Sequence, residues 1–139
     1  MNVETFEKLF IWKESKNLFV DLCNKFTDAE FKDYFYKNQL LKATLSVSNN
    51  IADGYEKGYG KELVKYLGIA KGSLGEVKSM LIVGNDLGYF VEDEYSKLME
   101  SLNKIVAGII SFIKSRTEKK EEIKSESTDS KYKLKSPPL

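Results

Sequence analysis

The residues best suited to contact an anionic ligand lie mid-chain, where lysines alternate with tyrosines. Lys57, Lys61 and Lys65 follow a four-residue spacing, and three tyrosines, Tyr55, Tyr59 and Tyr66, lie among them. Ammonium groups contact phosphates as point charges, and aromatic rings stack on unpaired bases. The pattern fits single-stranded nucleic acid, although a solvated helix surface gives the same spacing. The full set of candidate nucleic-acid contacts is Lys42, Lys57, Lys61, Lys65 and Lys71.

A polar stretch precedes these lysines within an otherwise helical pattern. Ser46, Asn49, Asn50 and Asp53 fall between apolar residues. Serine and asparagine side chains compete with the backbone for hydrogen bonds and disfavour helix interiors, so another interaction must compensate. A hydrogen-bond cluster between two helices is the simpler interpretation, and a contact with another subunit or a ligand is the alternative.

Catalytic and metal chemistry find little support in the composition. The chain has no histidine, the commonest general base and a common metal ligand. A di-iron bundle needs Glu-x-x-His pairs and is therefore excluded. Cys23 lies beside Leu22 on the apolar side of the first predicted helix, which favours a buried structural thiol over a nucleophile. We expect no enzymatic activity, no metal and no cofactor.

The charges are nearly balanced, with 22 basic and 21 acidic side chains and a net charge of +1. Strong nucleic-acid binders usually show a clear basic excess. Arg116 is the only arginine, and arginine supplies the bidentate contacts that read guanine and hold phosphate firmly. The balance argues against strong RNA binding, unless the fold gathers the lysines onto one face.

Hydrophobic periodicity predicts four helices and no strand. The first, third and fourth helices are expected over about 7–26, 61–87 and 92–116. The second is expected to begin at a Thr27-x-x-Glu30 capping box and to end at about residue 55. Short connections predict an all-α fold, an antiparallel up-down-up-down four-helix bundle over residues 1–116. Residues 117–139 are charged and serine-rich with few apolar side chains, so a disordered C-terminal tail is predicted.

Two features of the predicted helices suggest contacts beyond a simple core. The second helix carries two apolar stripes, the longer running through Leu41 and Leu45 and the other through Leu40 and Val47. The third helix carries small residues at helical spacing, namely Gly68, Gly72 and Gly75. Glycine costs roughly 1 kcal/mol relative to alanine inside a helix. We therefore expect these glycines to permit close packing, against a neighbouring helix of the same chain or against another subunit.

Four segments together resemble the 23S rRNA intervening-sequence protein family. They are Ile11–Lys13, Gln39–Ala43, Ser46–Gly54 and Leu67–Glu76. The resemblance implies a four-helix bundle that assembles as a homopentamer without known enzymatic activity. It also implies a fold similar to the accessory variability proteins of diversity-generating retroelements, which bind nucleic acid and a reverse transcriptase. An RNA- or ribosome-linked role is the corresponding expectation.

This sequence departs from the family pattern at several positions. Lys42 and Lys57 stand where the family usually has arginine, and Asp53 where glutamate is commoner. Phe26–Thr27 replaces the usual Phe-Pro. The lost arginines put nucleic-acid affinity in question more than the fold.

No apolar run is long enough to span a bilayer, and the first residues lack the features of a signal peptide. A single cysteine suits a reducing compartment, so we expect a cytoplasmic protein without a membrane partner. The function predicted is a non-catalytic, oligomeric binding module associated with RNA or a ribonucleoprotein. The alternative is a protein-interaction or scaffolding module that binds no nucleic acid.

Overall fold

The structure is a computed structural model that describes residue 6, residues 9–58 and residues 60–127, with side chains described as far as residue 117. Its four helices are α1 (Phe10–Lys25), α2 (Tyr34–Glu56), α3 (Lys61–Asp86) and α4 (Glu92–Ser127). These ranges contain no strand, which confirms the all-α prediction. Helix α4 extends beyond the predicted end at residue 116, so residues 117–127 of the predicted 117–139 tail are helical, and the rest of that tail lies outside the described residues. The domain boundary at 116 stays a prediction.

The helices pack in a ring in which α1 contacts α2 and α4, and α3 contacts α2 and α4. Helices α2 and α3 are antiparallel, because Ser46 near the middle of α2 meets Ser73 while Gly54 near its end lies against Tyr66. Across the described residues, the diagonal pairs make no contact. These neighbour relations favour the predicted up-down-up-down order.

Helices α1 and α4 are also antiparallel. The end of α1 meets the start of α4 through an ion pair of 2.9 Å between Lys25 Nζ and Glu94 Oε1. The start of α1 meets the later part of α4, where a Cβ on Gly108 would lie 2.8 Å from Cγ2 of Ile11. Glycine is required at that position because the two helices approach so closely.

The core contains the apolar stripes predicted for α1, α3 and α4, and one of the two stripes predicted to be covered on α2. The shorter stripe of α2, represented by Leu40, Val47 and Ile51, is fully buried, whereas Leu45 on the longer stripe is 40% exposed. The choice between two stripes on one helix depends on where its neighbours lie, which periodicity alone does not give. The buried stripes of the other three helices are Ile11, Leu18, Leu22, Leu63, Leu67, Ala70, Leu74, Val77, Leu81, Leu98, Leu102, Ile105 and Ile109.

The predicted start of α2 at Thr27 is wrong. Thr27 Oγ1 donates to the carbonyl of Asn24 at 2.9 Å, so this side chain caps the end of α1. The actual N-cap of α2 is Asp33, whose Oδ1 accepts from the backbone N–H of Tyr36 at 3.1 Å. An aspartate cap satisfies one of the free amides of the first helical turn, as a threonine cap would. The intervening loop lets Phe31 fold back onto Phe26.

Aromatic rings close the end of the bundle where α1 ends and α4 begins. The ring of Phe26 lies 4.7 Å from Phe31 and 6.0 Å from Phe90, between centroids. Gly88, with φ of +80°, makes a left-handed end of α3, and the amide of Tyr89 donates to the carbonyl of Gly84 across it at 2.9 Å.

Candidate functional site

Three polar side chains join α2 to α3 and form what we call the α2–α3 seam: Ser46, Asn50 and Ser73. The hydroxyl oxygens of Ser46 and Ser73 lie 3.0 Å apart. Asn50 Nδ2 donates to the Ser46 carbonyl at 2.8 Å and to the Ser46 hydroxyl at 3.0 Å. All three residues are half-buried. The seam therefore supplies a hydrogen-bond cluster of the kind that the polar stretch of α2 requires.

Asn49 and Asp53, the other candidates from the polar stretch, are exposed. Asn49 follows Ser46 by three residues and Asp53 follows Asn50 by three, so both lie close to the seam on the surface of α2. Their exposure leaves them available for the subunit or ligand contact that the sequence left open.

A second cluster forms where α2 ends and α3 begins, and we call it the lysine–tyrosine cluster: Lys57, Lys65 and Tyr66. Lys57 Nζ donates to the Tyr66 hydroxyl at 2.9 Å and lies 5.0 Å from the centroid of its ring. Lys65 Nζ lies 5.9 Å from the same centroid. The hydrogen bond to Tyr66 raises the pKa of the Lys57 ammonium, and the negative charges of Asp53 and Glu62 add to the rise. Lys57 therefore stays charged throughout the neutral range.

The other candidate lysines differ in position. Lys61 is exposed in the first turn of α3, between Lys57 and Lys65 in the chain. Lys71 is also exposed on α3, but at about 100° per residue it lies about 160° around the helix from Ser73, which faces α2. Lys42 is exposed on α2, one turn before Ser46. The fold thus brings Lys57, Lys61 and Lys65 together at one end of the bundle and separates Lys42 and Lys71 from them.

The balanced charge of the bundle conceals a strong separation along its length. We call residues 9–17, 46–73 and 102–117 the basic half, and residues 18–45 and 74–101 the acidic half; the Ser46–Ser73 contact marks the division. The basic half carries nine basic and four acidic side chains, and the acidic half carries six basic and ten acidic ones. Four of the five lysine candidates lie in the basic half, three of them clustered at its end and Lys71 apart from them, whereas Lys42 lies in the acidic half. Opposite charges therefore concentrate at opposite ends of the fold.

The small residues of α3 do not pack against another helix of the same chain. Gly68, Gly72 and Gly75 are exposed, and a methyl group on any of them would meet no atom of the described residues within 4 Å. Close packing within the chain is therefore the wrong interpretation of this stripe, because it faces away from the core. Contact with another subunit stays a prediction.

Sequence reasoning missed a polar network at the acidic end. The Tyr89 hydroxyl donates to Asp33 Oδ2, and the Tyr36 hydroxyl donates to the carbonyl of Met80 at 2.5 Å. The bonds from Tyr89 and the Tyr36 amide lower the pKa of Asp33, and the bond with Asp33 raises the pKa of Tyr89. Burial raises the pKa of Tyr36. The one feature of the sequence that could have indicated this network is the high density of aromatic residues around Phe31 and Tyr36.

The remaining candidates offer no chemical centre in the described structure. Cys23 is a free thiol and is half-buried, so it is less enclosed than predicted. Within the described residues, no three acidic or cysteine side chains are grouped so that they could hold a metal ion. None of the helices there combines the length and apolar character needed to cross a membrane.

The ring of four helices, with its polar seam and polarised ends, defines an all-α four-helix protein. A family model described as 23S rRNA-intervening sequence protein matches residues 7–111, about three quarters of the chain. The chain therefore belongs to the 23S rRNA-intervening sequence protein family, which confirms the resemblance read from its motifs. No curated protein matches it.

A solved structure gives independent support for the fold. It is a protein of unknown function from the S23 ribosomal protein family of Bacteroides thetaiotaomicron VPI-5482. The two chains share 23% identity with a TM-score of 0.68, and the match covers 75% of this chain and 95% of the other. At this identity the similarity establishes the fold alone.

Proposed function

We propose that this chain is a non-catalytic, self-associating binding module whose basic half contacts the phosphate backbone of RNA. The observation that carries the proposal is the separation of charge, which gathers Lys57, Lys61 and Lys65 at one end of an almost neutral bundle. The family name links these proteins to intervening sequences of 23S rRNA, and it makes RNA the first polyanion to test.

The chemistry of this basic end favours weak binding without sequence preference. Lysine contacts phosphate as a point charge, and the bidentate contacts of arginine that read bases are almost absent from the chain. The logarithm of the affinity for a single strand falls by about 0.7 per phosphate contact for each tenfold rise in salt. Three lysine contacts per chain therefore predict about a hundredfold loss of affinity over a tenfold rise in salt.

Self-association would compensate for weak contacts in each copy. The family resemblance implies a homopentamer, and the exposed stripe of Gly68, Gly72 and Gly75 offers a surface that another helix could approach closely. Several copies of the basic end in one assembly would raise the overall affinity through multivalency. Light scattering on the purified chain should give a mass of about five chains, and a monomer would contradict this part of the proposal.

Binding of labelled single-stranded RNA, followed by fluorescence anisotropy at low salt, tests the RNA contact. The double variant Lys57→Ala, Lys65→Ala should weaken binding about tenfold or more and reduce the salt slope by about 1.4, at 0.7 for each lost contact. Lys37→Ala, Lys42→Ala removes the same charge from the acidic half and serves as the matched control. Circular dichroism should show equal helicity in both.

Equal losses for the two double variants would contradict the assignment of RNA to the basic half. An absence of binding at tens of micromolar protein at low salt would contradict the RNA role itself.

A protein-interaction role is the second candidate, and exposed apolar side chains in the acidic half favour it. Phe35 is 78% exposed and Val91 is 67% exposed, while the surrounding acidic charge repels RNA. A pull-down from host lysate with and without nuclease separates the two roles. A partner retained after nuclease treatment favours protein interaction, and a partner lost on treatment favours RNA.

A further inference from the structure

Large apolar side chains lie exposed at the acidic end of the bundle. Phe35, Val83, Leu87 and Val91 come from the first turn of α2, the last turns of α3 and the turn before α4, and each is at least 48% exposed. Single exposed apolar residues are ordinary, whereas a contiguous group is typical of an interaction surface.

The packing of α2 against α3 places these residues on one side of the molecule. Val83 and Leu87 are one helical turn apart and share a face of α3. The Tyr36 hydroxyl reaches the carbonyl of Met80, so Phe35 lies at the level of the last turns of α3. Val91 directly precedes α4 at the same end. We call these four residues, with Glu30 and Asp86, the acidic patch.

The charge around this surface selects a cationic occupant. Glu30, Asp86 and Glu92 are exposed, whereas Asp93 and Glu94 are already paired with Lys97 and Lys25. Each acidic side chain raises the local concentration of cationic groups and repels anionic ones. An occupant that fits must carry several positive charges and apolar side chains between them.

The chain itself contains a segment of this chemistry beyond the last described residue. Residues 131–135 read Lys-Tyr-Lys-Leu-Lys. In an extended bound form, alternate residues face opposite sides, so Tyr132 and Leu134 would share one side and the lysines the other. We propose that the acidic patch binds the 131–135 segment of a second copy of the chain.

The distance between the patch and the end of α4 requires that the segment bind a second copy and not its own chain. Helix α4 starts at the acidic end, and its 36 residues extend about 54 Å at about 1.5 Å per residue. Lys131 follows Ser127 by four residues, which span at most about 14 Å when fully extended. The segment therefore cannot return to the patch of its own chain. The inference rests on the self-association part of the proposed function and not on RNA binding.

Photo-cross-linking in the full-length chain tests the inference. A benzophenone amino acid in place of Tyr132, in an equal mixture of unlabelled and ¹⁵N-labelled chains, should cross-link to residues 30–37 or 83–94 of a different copy. The variant Glu30→Lys, Asp86→Lys should lower this yield at least fivefold. A lysine at position 86 suits the negative end of the α3 dipole, so the helix is not weakened.

Charge exchange makes the test specific to the segment. Lys131→Glu, Lys133→Glu, Lys135→Glu should also abolish the cross-link, and its combination with Glu30→Lys, Asp86→Lys should restore it. Glu14→Lys, Glu56→Lys makes the same charge change in the basic half and should leave the yield unchanged.

Cross-links within one copy, cross-links to other surfaces, or an unchanged yield after charge reversal would each overturn the inference. Light scattering on the same samples separates it from the proposed function. An intact assembly without cross-links at the patch overturns tail docking alone, whereas a monomer without cross-links between copies overturns both docking and self-association. RNA binding is measured independently of either result.

Discussion

Replacing Gly84 with alanine should destabilise the fold, although alanine is the better helix former. A Cβ at this position would lie 2.7 Å from Cε2 of Phe90 and would collide with the Tyr36 hydroxyl. Overpacking of this kind costs about 1–3 kcal/mol. Displacing Tyr36 also breaks its 2.5 Å hydrogen bond to Met80, which contributes about 0.5–1.5 kcal/mol. The higher helix propensity of alanine offsets about 1 kcal/mol of this loss, so we expect a net loss of about 0.5–3.5 kcal/mol.

Gly72 provides a matched control on the same helix, because it is exposed and a methyl group there meets no atom of the described chain within 4 Å. Gly72→Ala should therefore stabilise the dissociated chain by up to about 1 kcal/mol, measured at a protein concentration too low for self-association. Urea unfolding followed by circular dichroism, at matched protein concentrations, measures both variants. A Gly84→Ala chain as stable as the parent would refute the account of this contact. A loss of stability in Gly72→Ala that appears only at concentrations where the chain self-associates would support the proposed contact of this stripe with another subunit.

Further predictions concern the polar contacts. Ser46→Ala and Ser73→Ala should each lower the free energy of unfolding in urea by about 0.5–1.5 kcal/mol. The double variant should lose less than the sum of the two, because both substitutions remove the same hydrogen bond. Full additivity would show that the two side chains act separately. The pKa of Asp33 is lowered in the fold, so its stabilisation is present above about pH 4 and is lost as the pH falls toward the lowered pKa. Asp33→Asn should therefore make stability less dependent on pH in acid, and an unchanged acid profile would contradict this. The pKa of Tyr36 is raised in the fold, so its contribution to stability is present below about pH 10 and is lost as the pH rises further. Tyr36→Phe should therefore reduce the loss of stability in alkali. Thermal unfolding measured at rising pH tests this.

Much of the fold follows from the sequence because it depends on local patterns. The apolar spacing of α1, α3 and α4 identifies their buried faces, and Gly88 marks the end of α3 through its left-handed conformation. The start of α2 was mispredicted because Thr27 and Asp33 are both good caps. The choice between them depends on how Phe31 packs on Phe26, which is a tertiary contact.

The glycines show most clearly what sequence spacing cannot decide. The regular series through Gly68 and Gly72 suggested close packing, yet atoms of other elements lie closest to the isolated residues Gly54, Gly84 and Gly108. A glycine permits a close approach only where the fold brings a neighbour to it. The distribution of charge depends on the fold in the same way. The composition is balanced, and the two oppositely charged ends arise because antiparallel packing brings segments that are distant in sequence side by side.

Mass-spectrometric footprinting of lysine acylation, with and without single-stranded RNA at low salt, tests the central claim most directly. The account predicts that RNA protects Lys57, Lys61 and Lys65, and that Lys32, Lys37 and Lys42 in the acidic half react equally in both samples. Equal protection of both groups, or protection of the acidic half alone, would contradict the assignment of RNA binding to the basic half.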